Sequence, residues 1–184
     1  MKKLIMAAAI VCSVAIANAA SVGWSNMGLA SYNGDKYQMF VIGQNGVASV
    51  ATVTALLDAG NSVDSYAFGG GTVAGGQATI GATTSGKTLD AGTYTAFMVL
   101  FDAATPVAGT TKYAILEGGN GGTGYTQSIS ATAATATFIG GNAASMVSAA
   151  TWKTFGGSTP VPEPTSVMMV LLGMAGLALK RKRA

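Results

Sequence analysis

The sequence predicts an all-β fold, a single β-sandwich of about seven to nine strands. Three observations predict it. Short runs of β-branched and aromatic residues are separated by Gly, Asn and Asp clusters. One segment, Thr93 to Phe101, is apolar on both of its faces. Between Ala20 and Pro160 no stretch shows helical periodicity bounded by caps.

Asn33-Gly34-Asp35 is a turn signal, and Lys36 to Ile42 follows as a strand. Tyr37, Met39 and Val41 lie on one face of it, Phe40 and Ile42 on the other. Gln44-Asn45-Gly46 turns the chain again, and Val47 to Leu57 reads as a long strand that Asp58 to Asn61 breaks. Val63 to Phe68 is a short strand ending at Gly69-Gly70-Gly71, and Thr72 to Thr84 a weak strand pair around Gly75-Gly76. In Thr93 to Phe101, the strongest strand, Phe97, Val99 and Phe101 oppose Ala96, Met98 and Leu100, a pattern that belongs to a central strand. Pro106 to Thr111 is a loop, Lys112 to Leu116 returns as a strand, and 117–124 is a glycine-rich loop. Gln127 to Ile139 reads as a long Thr/Ala strand and Met146 to Phe155 as the last one.

The two ends of the chain differ from this middle. Lys2-Lys3, an apolar stretch from Leu4 to about Ala17 and the small-x-small site Ala17-Asn18-Ala19 have the form of a secretory signal peptide over 1–19. Cys12 falls inside its apolar core, so cleavage leaves a domain without cysteine that packing alone must hold. The sandwich is expected over 20–155, with a linker over 156–165 containing Pro162-Glu163-Pro164. A transmembrane helix is expected over 166–179, and a basic cytoplasmic tail over 180–184. Ser166 to Leu179 is shorter than the roughly 17–25 residues of an ordinary span, so the cations beyond it must snorkel or the bilayer must thin. Lys180, Arg181, Lys182 and Arg183 act as a basic stop, hold that end in the cytoplasm and leave the domain outside the inner membrane.

Proline pair, short apolar run and basic stop, in that order over Val161 to Ala184, resemble the PEP-CTERM sorting signal of Gram-negative bacteria. The prolines keep the motif out of helix and sheet, as an accessible strip at the membrane face. The resemblance implies an exosortase-type membrane transpeptidase as partner, transient residence in the inner membrane, and removal of the tail. It also implies delivery to the cell surface or extracellular matrix, in a biofilm setting where exopolysaccharide is a further partner by analogy. It covers none of the central domain.

Composition narrows what that domain does. The net charge of +3 comes from the two ends. The middle sets Lys36, Lys87, Lys112 and Lys153 against Asp35, Asp58, Asp64, Asp90, Asp102 and Glu117, without arginine or histidine. No nucleic-acid partner is expected of such a surface. Without histidine, or cysteine in the mature chain, there is no imidazole base, no catalytic triad and no His–Cys metal site. No catalytic residue, cofactor or metal is therefore assigned, and the chain is expected to be non-enzymatic.

Four constellations remain. Gly81-Ala82-Thr83-Thr84-Ser85-Gly86-Lys87-Thr88 fits the string G-x-x-x-x-G-K-[ST], and Phe97 to Asp102 resembles an apolar strand ending in a magnesium-binding Asp. A phosphate loop must open a helix, whereas Leu89-Asp90-Ala91-Gly92 and a strand follow here, so the string reads as a hairpin turn. Asp102 and Glu117 are the one carboxylate pair a glycan hydrolase could use, the least favoured alternative. Asp58, Asn61 and Asp64 could offer oxygens to calcium, although turn formation explains them as well. Trp24, Tyr32, Tyr125 and Trp152 could stack on sugar rings, as a carbohydrate-binding or adhesion module would require, or simply pack.

Overall fold

The computed structural model describes residues 19–117 and 125–157. The expected signal peptide and the transmembrane sorting helix fall outside these residues. The described chain is mostly β, in two sheets, as the sequence predicts.

The first sheet is built on β1 (Ala20–Met27). One edge of β1 pairs antiparallel with β4 (Gln77–Ile80) and then with the short β5 (Thr88–Leu89). Its other edge pairs parallel with β9 (Thr135–Asn142), with a bulge between Ser25 and Asn26. The second sheet runs β10 (Lys153–Thr154), β7 (Lys112–Leu116), β6 (Gly92–Phe101), β2 (Lys36–Val41), β3 (Gly69–Thr72). β8 (Tyr125–Ile129) pairs with the first half of β6, on the edge whose second half β7 occupies.

Between the sheets lies one core. Trp24, Val22, Ala136 and Phe138 of the first sheet meet Tyr37, Met39, Val41, Met98 and Leu100 of the second. A second core covers the opposite face of the second sheet. There α1 (Val50–Asp58) sets Val53 and Leu57, both fully buried, on Phe40, Phe97, Val99 and Phe101. The two-sided pattern of β6 has this cause: the strand lies between a sheet and a helix. The faces assigned from sequence to Lys36–Ile42 and Thr93–Phe101 are the ones the two cores use.

Several expected strands are corrected. Val47 to Leu57 is not a strand; its second part is α1. Ser49 caps the helix, accepting from the Thr52 amide, and Val50, Val53, Leu56 and Leu57 recur at helical spacing. Gly60, at φ +74°, follows its end. β-branched residues gave this segment a strand-like look, and burial of one side of the helix overrode that preference. Val63 to Phe68 is a turn region in which the Tyr66 and Ala67 amides donate to Val63 O. The glycines expected to end it form β3 instead. A Cβ on Gly69 would stand 2.2 Å from the Trp24 ring, so only glycine lets this strand close over the tryptophan.

Thr72 to Thr84 is not a strand pair, because β3 and β4 belong to different sheets, joined through the Gly75-Gly76 turn. Gln127 to Ile139 likewise divides between β8 and β9 at a turn near Ser130. The stretch from Met146 to Phe155 carries the end of α2 (Ala143–Ala149) and only the two-residue β10. With these pieces counted separately, the described residues hold ten strands rather than seven to nine.

Removing the anchor of the third layer tests its importance. Leu57→Ala should lower stability by about 2–5 kcal/mol, and Ser49→Ala by about 0.5–2 kcal/mol, read as midpoint shifts in urea unfolding. A Leu57→Ala loss no larger than that of Ser49→Ala would remove α1 from the load the fold carries.

Candidate functional site

A groove crosses the outer face of the second sheet where β2 meets its edge strand β3. Its larger part has a volume of about 540 Å³, and Lys36, Gln38, Asp64, the three β3 glycines and Lys87 line it. A smaller cleft of about 220 Å³ shares Lys36, Gln38 and Asp64 and extends to Leu57, Asn61 and Phe155. β2 places Lys36 and Gln38 two residues apart, on the face away from the intersheet core. Opposite them on β3 stand Thr72 and Gly70. Gly70 has no side chain to cover the Gln38 amide, and a Cβ there would come within 2.6 Å of Tyr37 O.

One carboxylate organises these groups. Asp64 Oδ1 accepts from Lys36 Nζ at 2.6 Å and from Gln38 Nε2 at 2.5 Å, while Oδ2 accepts from Ser62 Oγ at 3.0 Å. The Lys36 hydrogen bond is the main cause that holds the Asp64 carboxyl below its ordinary pKa, against a smaller opposing effect of burial. Gln38 is 3% exposed, and its Oε1 has no hydrogen-bond partner. A carboxylate can only accept, so Asp64 fixes which end of the amide faces it and turns Oε1 away unpaired.

The constellations drawn from sequence are mostly taken apart. Asp58 accepts from the buried Tyr113 hydroxyl at 2.5 Å and from Lys153 Nζ at 3.3 Å. Burial first, then the Asp58 carboxylate, raise the Tyr113 pKa. Asp58 and Asp64 thus serve different donors, and among the described residues no three His, Cys, Asp or Glu side chains come together for a metal ion. Asp102 accepts from the Lys112 amide at 2.6 Å at one end of the β6–β7 hairpin, whereas Glu117 follows Leu116 at the other end. Five residues of strand separate them, about 17 Å at 3.4 Å per residue, too far for a glycosidase pair.

Gly81–Thr88 opens no helix. Thr88 enters β5, and the Thr84 and Ser85 amides are used by Gly81 O. Ser85 Oγ donates to Val22 O, which fastens the loop over β1 at Gly23, where an added Cβ would stand 2.5 Å from Ala82 N. The aromatics are no open sugar platform either. Trp24 and Tyr125 are buried in the core, and Tyr32 and Trp152 stack on each other at 5.4 Å. Pro162, Glu163, Pro164 and Lys180 to Arg183 lie outside the described residues. Sequence reasoning missed Gln38, although an amide in the middle of a strand apolar on both faces was a signal for it.

The Asp64 bridge yields a pH dependence. The Asp64 side chain is 63% exposed, so its pairing with Lys36 should contribute less than about 1 kcal/mol. The folded pKa lies below the unfolded one, so the contribution is complete above about pH 4 and is lost as pH falls through the folded value. The stability gap between the wild type and Asp64→Asn, followed by urea unfolding from pH 7 to 2, should therefore close at the acid end. A gap that stayed constant to pH 2 would count against the bridge.

No curated protein and no solved structure matches the chain. No helix among the described residues is long and apolar enough to cross a membrane. Residues 160–183 match one family model, the PEP-CTERM protein-sorting motif. That match bears out the resemblance read from the tail: the chain carries the signal of an exported protein whose membrane-anchored precursor is sorted by an exosortase.

Proposed function

We propose that the chain is a non-enzymatic protein of the cell surface or extracellular matrix, held briefly in the inner membrane by its tail and released by an exosortase-type transpeptidase. The sorting motif over 160–183 is the observation that carries this reading. The proline pair Pro162 and Pro164 with Glu163 between them is the recognition strip, and Lys180, Arg181, Lys182 and Arg183 are the stop that keeps the tail in place until it is cut. The domain fits a passive role. Of the two candidate pairings of carboxylates, one is split along a hairpin, and the other is divided between separate hydrogen-bond partners. A second reading, a carbohydrate-binding or adhesion module, draws support from the groove around Gln38 rather than from the aromatic residues.

Mass spectrometry of the C-terminus of the native protein tests the processing directly. The expected outcome is a chain ending within or near 160–165, with an N-terminus at Ala20. Joint replacement Pro162→Ala and Glu163→Ala should leave the precursor in the membrane fraction and abolish surface delivery. A surface-exposed protein that retained Arg183 would overturn the reading.

A further inference from the structure

We propose that the groove on the outer face of the second sheet binds an acidic saccharide of the uronic-acid type, with Gln38 Oε1 accepting from a ring hydroxyl and Lys87 Nζ meeting the sugar carboxylate. The inference deepens the second reading of the domain, as a carbohydrate-binding module of an exported protein, and rests on it. Three observations converge.

Gln38 is the first. A nearly buried amide oxygen without a donor has lost its water and gained nothing in return, a penalty that a hydroxyl arriving from a ligand removes. Asp64 holds the Gln38 nitrogen, so rotating the amide offers no escape.

Lys87 is the second. It lines the larger cleft, and among the described residues its ammonium has no hydrogen-bond or ion-pair partner, whereas Lys36 in the same cleft is bound to Asp64. An unpaired cation and an unpaired acceptor lining the same cleft suit a ligand that is both hydroxylated and anionic.

The floor is the third. Gly70 and Gly71 line the cleft without adding side chains to it, and Pro106 adds an apolar contact for the C–H face of a sugar. The larger and smaller clefts meet at Lys36, Gln38 and Asp64. Opening the exposed Lys36–Asp64 bridge, which costs little, gives the ligand its path to Oε1.

Other occupants leave part of this unexplained. A simple anion would satisfy Lys87 but not Gln38. An extended peptide added to the β3 edge would pair with the outward backbone groups of Gly70 and Thr72, yet Gln38 lies one strand further in. A second copy related by a two-fold axis along β3 would bring one Lys87 toward the other.

The test is calorimetric titration of the exported protein with tetragalacturonate, with a neutral tetrasaccharide and a poly-glutamate peptide as comparisons. Reducing ends are followed in the same incubations. Tetragalacturonate should bind, more weakly as salt rises, while the neutral sugar binds at least tenfold less well. Lys87→Gln removes no hydrogen bond or ion pair among the described residues and should weaken binding about tenfold with thermal unfolding unchanged. Gln38→Leu should weaken it by a similar factor and affect the neutral sugar equally. The site is overturned if tetragalacturonate gives no heat at millimolar concentration, if neither variant changes binding, or if poly-glutamate binds as well and is indifferent to Gln38→Leu. Those failures leave the exported, surface-sorted reading standing. Release of reducing ends that Lys87→Gln suppresses would support the site and sink the non-enzymatic reading instead.

Discussion

Burial of β6 on both faces is the constraint from which the rest of the structure follows. Ala96, Met98 and Leu100 point into the intersheet core, and Phe97, Val99 and Phe101 into the layer beneath α1. A strand with large apolar groups on both sides cannot face water on either, so a second covering layer is obligatory. α1 supplies that cover, and the end of the described chain seals it. The Gly156 amide donates to Leu57 O at 2.8 Å, and Phe155 meets Phe101 edge to face at 6.1 Å. The segment that leads toward the sorting tail is thereby tied to the third layer.

Glycine does in this domain what side chains do elsewhere: it decides how closely elements approach. Gly69 admits the Trp24 ring, Gly23 admits the crossing Gly81-Ala82 backbone, and Gly140, at the bulge between β1 and β9, makes room for Asn26 and Tyr125. At each of these positions a Cβ would overlap a neighbour, so the high glycine content is not only a sign of loops. The same property shapes the groove, because Gly70 sets no side chain opposite Gln38.

The polar groups follow a matching logic. Six carboxylates are spread through the middle of the chain. Asp58 and Asp64 accept from donors on distant parts of the sequence, Tyr113 and Lys153 and Lys36 and Gln38 respectively, while Asp102 accepts from the Lys112 amide across its own hairpin. They act as clasps between elements. Buried amide oxygens without a partner remain on Gln38 and Asn26.

By itself the sequence determined the tail, the β character, the two faces of β2 and β6 and the absence of an imidazole side chain. These are read from residue identity and local order, which need no knowledge of what lies opposite. Proline conformation, the length of an apolar run and period-two alternation are properties of the chain alone. Tertiary structure decided that Val50–Asp58 is a helix, that Gly69–Thr72 is a strand, that Trp24 and Tyr125 are core, and that Gln38 Oε1 is unpaired. Each of these depends on a partner far away in sequence: the exposed apolar face of β6 calls for the helix, the indole of β1 for the glycines, and the Asp64 carboxylate fixes the amide. A local pattern cannot encode which distant surface needs covering, because that need exists only once the sheets have met.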